Sequence, residues 1–196
     1  MLLSRRQFFV KERVAFVKLV DTYDIFDAET QQQIGIAKEE PSSWSHFARL
    51  LVNKMLLPTT VNIYEDESSP PVLRLTKKVS IFRPDVIVSD RDGRELGRFR
   101  AKSFTIGGGF HVYDPSGQHV AEVKGDWKGW NFRVIDDQGQ ELGVVTKKWS
   151  GLGKELFTSA DNYMISLSDL NGKVATTAGL LLAAGIAIDV IFKEGK

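Results

Sequence analysis

The 196-residue chain contains no cysteine. Within this sequence that excludes disulfides, thiolate metal sites, cysteine nucleophiles and thioester-linked lipid anchors. Histidine is scarce, limited to His46, His111 and His119. No charge of one sign is in surplus: 26 Lys and Arg face 25 Asp and Glu, a formal charge of +1. The two halves, divided at residue 100, carry +2 and −1. Neither half is a basic arm or an acidic tail, so a general electrostatic grip on nucleic acid is not expected. Also missing are a G-x-S-x-G elbow, a complete P-loop and a dinucleotide-binding fingerprint. Together these gaps point away from an enzyme and from a bound cofactor. What remains is ordinary for a globular protein, 42% hydrophobic and 26% charged. The length suits one large domain or two small ones, with a sizeable core.

Two segments imitate targeting signals. Ser4-Arg5-Arg6-Gln7-Phe8-Phe9-Val10-Lys11 is close to a twin-arginine export signal. Such a signal needs an apolar run of about 7 to 15 residues, and Lys11, Glu12, Arg13 and Lys18 interrupt it. A strand pair, with Phe8 and Val10 followed by Val14, Phe16 and Val20 as apolar positions, is the better reading. A cytoplasmic location is expected. The second segment, Val174 to Phe192, is 19 residues long with a single charge, Asp189. It is long enough to span a membrane. A helix apolar on every face is equally the mark of one buried inside a protein.

The most informative feature is a recurring turn. Asp90-Arg91-Asp92-Gly93, Asp114-Pro115-Ser116-Gly117, Asp136-Asp137-Gln138-Gly139 and Asp169-Leu170-Asn171-Gly172 all read D-x-x-G. Aspartate first and glycine fourth is the signature of a type I turn. The first three are followed at a fixed offset by Leu96-Gly97, Val120-Ala121 and Leu142-Gly143. Alternating apolar residues flank each turn, as in Phe110 and Val112, or Phe132 and Val134, which predicts repeated β-hairpins. A looser copy surrounds Tyr23 to Asp27 and continues to Ile34-Gly35-Ile36. Further strands are expected at 60–64, 72–75, 79–82 and 145–149. About ten to twelve strands favour a closed barrel or a sandwich, because closure removes exposed edges. A barrel of about twelve strands is too wide for its own side chains to fill. The apolar C-terminal helix suits the bore. Between these strands, Trp44, Phe47, Ala48, Leu51, Val52 and Met55 fall at helical spacing, so an amphipathic helix is expected near 43–57, ended by Pro58.

The chemistry-bearing motifs are sparse. Asp169 to Gly172 resembles part of a calcium loop, but Leu167 and Ala178 occupy its first and last ligand positions, so a turn is expected and no metal site. Gly107-Gly108-Gly109 and Gly151-Leu152-Gly153-Lys154 read as loops. His111 and His119 flank one turn and face each other across a hairpin; with no acidic cluster of matching spacing they read as surface histidines. The remaining candidate is a basic face. Arg98, Arg100 and Lys102 alternate with Phe99, Ala101 and Ser103, so period two puts the three cations on one side of a strand. Lys147 and Lys148 precede Trp149 on another expected strand. Such rows suit phosphates and anionic lipid head groups.

Taken in order, several stretches resemble the LURP-one-related and phospholipid scramblase family, which shares its fold with the C-terminal domain of Tubby proteins. They are Phe8-Phe9-Val10-Lys11, Asp24-Ile25-Phe26-Asp27 with Gly35 and Glu39-Glu40, Lys148-Trp149-Ser150-Gly151 through Lys154-Glu155-Leu156-Phe157-Thr158 to Ala160-Asp161-Asn162-Tyr163, and Gly185 to Phe192. The resemblance implies a mainly β fold in a single domain over residues 1–196: a twelve-stranded antiparallel closed barrel around a central hydrophobic helix at 174–192. Two features depart from animal scramblases. The cysteine-rich palmitoylation stretch and proline-rich N-terminal region are missing, and Ser159 stands where their proposed calcium segment begins with aspartate. The chain looks closer to the LURP-one-related branch. Tubby domains bind phosphoinositides, so the implied partner is an anionic lipid or membrane surface, met peripherally. The expected role is a non-enzymatic intracellular barrel that binds such a ligand through Arg98, Arg100, Lys102, Lys147 and Lys148. A protein partner engaged as a scaffold, and scramblase-like lipid transport, are the alternatives.

Overall fold

Alternation along the chain becomes twelve antiparallel strands that close on themselves. The computed structural model describes residues 1–13, 20–40, 57–78, 85–102, 109–126, 130–147, 162–168 and 174–192. The strands are β1 (Gln7–Glu12), β2 (Thr22–Asp27), β3 (Gln33–Glu39), β4 (Thr59–Tyr64), β5 (Leu73–Lys77), β6 (Asp85–Asp90), β7 (Glu95–Ala101), β8 (Gly109–Tyr113), β9 (His119–Asp126), β10 (Asn131–Asp136), β11 (Glu141–Thr146) and β12 (Asn162–Leu167). Each pairs with its neighbours in chain order, and β1 closes the barrel on β12, with Phe8 opposite Ile165 and Val10 opposite Tyr163. A single helix, α1 (Val174–Phe192), follows. The expected strand at 145–149 is the end of β11, which stops at Thr146. The helix expected near 43–57 lies, except for the buried Leu57, outside the described residues. So do the strand at 79–82, the turn at 169–172 and Lys148.

Three hairpins are built on the repeated turn. The amides of Gly93, Gly117 and Gly139 donate to the carbonyls of Asp90, Asp114 and Asp136 at 3.1, 3.0 and 3.0 Å. Each aspartate then accepts a second bond on its side chain from the amide four residues on, at 2.9, 2.9 and 2.8 Å. The glycines sit at φ of +79°, +86° and +82°, the left-handed region that closes a three-residue hairpin loop. In the looser copy between β2 and β3, Asp27 caps the amides of Glu29 and Thr30, and Gln31 takes the left-handed position at φ +57°.

Every one of these hairpins has a register shift just inside the turn, at Ile25/Phe26, Val88/Ser89, Val112/Tyr113 and Val134/Ile135. The shift adds one residue to one strand and changes which side chain faces inward beyond it. It turns the repeated small residue toward the bore. A Cβ on Gly97 would stand 3.3 Å from Leu180, one on Gly143 would stand 2.8 Å from Leu181, and one on Gly35 would stand 3.3 Å from Leu2. Ala121, at the same position of the second repeat, is 2% exposed. Glycine at 97 and 143 lets α1 approach the wall and at 35 lets Leu2 do so, while a Cβ at any of the three would also press on a neighbouring-strand carbonyl at 2.5–2.8 Å.

The plug is α1. Its residues Leu181 to Ala184 and Ile186 to Asp189 are all buried, and it packs against β5, β6, β7, β11 and β12. The 3-10 turn Leu2–Ser4 meets it, with Leu2 1% exposed. The N-terminal stretch that imitated an export signal is thus one end of the packed interior and the start of β1. Among the described residues no helix is long and apolar enough to cross a membrane. The apolar side chains of α1 from Leu181 to Ala184 and from Ile186 to Ile188 are buried by the wall. The one acidic residue of α1, Asp189, is 1% exposed and accepts a hydrogen bond from the Tyr23 hydroxyl at 2.8 Å. Burial holds the Tyr23 hydroxyl well above its usual range, and the charge of Asp189 adds to this, so tyrosine stays a neutral donor.

Candidate functional site

The burial of β7 alternates, with Gly97, Phe99 and Ala101 inward. Arg98 and Arg100 therefore stand on the outer face, and Lys102 follows just past the strand end. Arg98 makes a two-pronged bond to Glu95, both contacts at 3.0 Å, and lies 3.9 Å from Asp85. The bond to Glu95 holds its guanidinium above the usual range. Arg100 is 3.6 Å from the same Asp85 and rests 5.3 Å over the Tyr113 ring centre. Lys102 and Lys124 of β9 both reach Glu122 Oε2, at 3.1 and 2.9 Å. Hydrogen bonds first from Lys124 and then from Lys102 lower the Glu122 carboxyl to about 2.

The structure brings Arg98, Arg100 and Lys102 together and adds Lys124. Each has a carboxylate neighbour. Asp85 and Glu122 come from the flanking part of the wall, so strand register rather than sequence proximity selects them. Lys147 stands elsewhere. Its ammonium lies 4.0 Å over the Trp130 ring, beyond the end of β11, and β11 is four strands from β7 in the barrel. At about 4.8 Å per strand that is roughly 19 Å along the wall. A surface cavity of about 310 Å³ opens beside β5 and β6, lined by Arg74, Thr76, Ile87, Ser89 and Arg91 among others, and its lining includes none of Arg98, Arg100 or Lys102.

The two histidines do face each other. His111 Nδ1 is 3.2 Å from His119 Nε2, and the rings meet edge-on with centres 5.2 Å apart. Tyr113 packs against both, at 6.3 and 5.6 Å between ring centres. His111 Nδ1 is also 3.6 Å from Glu122 Oε1, and His119 Nδ1 is 2.7 Å from Asp137 Oδ1. Sequence spacing hides the acidic neighbour. His119 and Glu122 are three residues apart and would point to opposite faces of a regular strand. Because Tyr113 pairs with His119 while Val112 pairs with Ala121, Val120 is the extra residue of the register shift. That residue puts both side chains on the outer face, and His111 pairs directly with Glu122. His111, His119 and Glu122 are the described residues whose ligand atoms converge, all within 4.8 Å of one another.

Comparison with curated proteins and comparison with solved structures each find no match. The family model described as Scramblase matches residues 19–194, nearly the whole chain and almost all of the barrel with its enclosed helix. By that match, on a closed twelve-stranded wall, the chain belongs to the Scramblase family.

Proposed function

We propose that the protein is a non-enzymatic barrel that holds anionic lipid head groups, or another phosphate-bearing ligand, at a membrane surface through the outer face of β7. Membership of the Scramblase family supports a lipid-related role. The observation that carries the finer reading is the placement of Arg98, Arg100 and Lys102 on one face, with the Arg98 and Arg100 side chains 31% and 41% exposed. Their carboxylate neighbours do not close the site. Exposed ion pairs are worth about 1 kcal/mol or less, so a phosphate that accepts from two guanidinium groups competes with them. With a formal charge of only +1 on the whole chain, the attraction must come from a local row and not from the surface as a whole. Met1 is the one large hydrophobic side chain exposed among the described residues. That observation favours a lipid head group over an apolar protein partner.

Flotation with phosphatidylserine or phosphoinositide vesicles tests the reading. Binding is expected at low salt and weakens as salt shortens the Debye length from about 30 Å at 0.01 M to about 8 Å at 0.15 M. At about 1 kcal/mol per basic residue near an anionic surface, the triple change Arg98→Gln, Arg100→Gln, Lys102→Gln weakens binding about 100-fold. Absence of binding to either vesicle at low salt discards the proposal.

A further inference from the structure

We propose that the outer face of β8 and β9 binds a divalent transition-metal ion, zinc being the best fitted, through His111 Nδ1, His119 Nε2 and Glu122 Oε1. Two imidazoles and a carboxylate are the donor set that suits zinc and its neighbours in the first transition row. With metal–ligand bonds of about 2.0–2.1 Å, a tetrahedral site has ligand atoms about 3.3 Å apart. The observed separations are 3.2 Å between the two nitrogens and 3.6 Å between His111 Nδ1 and Glu122 Oε1. Two edges of the tetrahedron are therefore in place before any side chain moves. Three protein ligands leave the fourth position to water.

The outer shell of this cluster is that of a metal site. Asp137 Oδ1 is 2.7 Å from His119 Nδ1; in the tautomer with its proton on Nδ1, His119 donates to Asp137 and Nε2 is free to ligate. A carboxylate behind a ligating histidine fixes its tautomer and ring angle in the same way. Tyr113 packs on both rings and limits their rotation. Lys102 and Lys124 bond to Glu122 Oε2, so the carboxylate is ionised and its Oε1 is turned to the histidines. The same two ammonium groups repel a cation, so the site is expected to bind in the micromolar range rather than the nanomolar one. The His111, His119 and Glu122 side chains are 35%, 34% and 26% exposed, open enough for an ion to enter from solvent.

Calorimetric titration of the full chain with zinc chloride tests the site, with cobalt(II) as a spectroscopic probe. One ion per chain is expected, with a Kd of about 10 μM or tighter. His119→Ala and Glu122→Gln should each weaken binding at least about tenfold, and Asp137→Asn, which removes no ligand, about tenfold. His46→Ala should leave it unchanged. Cobalt should give the visible absorption of a four-coordinate ion, lost in His119→Ala. His119 and Glu122 are on the outer wall and Asp137 is in the turn after β10, and far-UV circular dichroism checks that each variant is folded; Asp137→Asn serves where a ligand variant is not. No saturable binding up to about 100 μM zinc, wild-type affinity in both ligand variants, or loss of binding in His46→Ala overturns the proposal. The outcome is independent of vesicle binding.

Discussion

The two faces of strands β7 to β9 obey different rules. Inward, Phe99, Phe110, Val112, Ala121 and Val123 are between 0 and 4% exposed and meet the wall of α1 or one another. Volume decides what fits there, because close-packed interiors tolerate neither voids nor added atoms without cost. Outward, the same strands carry Arg98, Arg100, His111, His119, Glu122 and Lys124, most of them half-exposed and held in ion pairs. Charge decides there, and each pair contributes little to stability. Stability is therefore concentrated inside and binding chemistry outside, so a change on one face should leave the property of the other nearly untouched.

The sharpest test of that division is at Gly185. A Cβ there would stand 2.5 Å from Ile165 Cδ1 and 3.3 Å from the Tyr163 ring. Gly185→Trp asks the bore for a whole indole, beyond the usual 1–3 kcal/mol of overpacking, and thermal melting should find no cooperative transition. An unchanged melting temperature would mean the helix is not enclosed.

Tyr23→Phe comes next in size. It keeps the ring and removes the hydroxyl that donates to Asp189 inside the barrel. A buried acceptor that loses its donor costs about 1–3 kcal/mol, which denaturant unfolding measures. A loss under about 0.5 kcal/mol, the usual size for a surface position, would blur the contrast between the faces.

The smallest effect belongs to the outer face and to acid. The Glu122 carboxyl is lowered from 4.5 to about 2 in the folded state. A lowered acid stabilises the fold when ionised, fully above about pH 4.5, and this contribution disappears as pH falls toward 2. Glu122→Gln should therefore melt slightly below wild type at pH 6 and level with it near pH 2. A gap that stays constant across that range would assign the effect to packing instead of charge.

Much of the fold was legible because its cues are local. The D-x-x-G turns need only a capping side chain and a residue that accepts positive φ, and three of them formed as expected. The apolar run at 174–192 was legible in type but not in place, since a bore and a bilayer ask the same composition of it. Of the site, alternation put Arg98 and Arg100 on one face; Lys147 was expected on another strand, and only barrel order shows that strand to be four away. The carboxylate beside the histidines was invisible, because counting by twos sends Glu122 to the wrong face.

By itself, the sequence determined the hairpins, the absence of thiol chemistry and a helix with no polar side, all consequences of residue type and near-neighbour spacing. Only the tertiary structure decided that this helix is enclosed by the wall, that Asp189 meets Tyr23 across 166 positions of chain, and that His119 and Glu122 share a face. The physical reason is the same in each case. Enclosure, long-range pairing and the register shift depend on which strands close against each other, and closure is a property of the whole barrel.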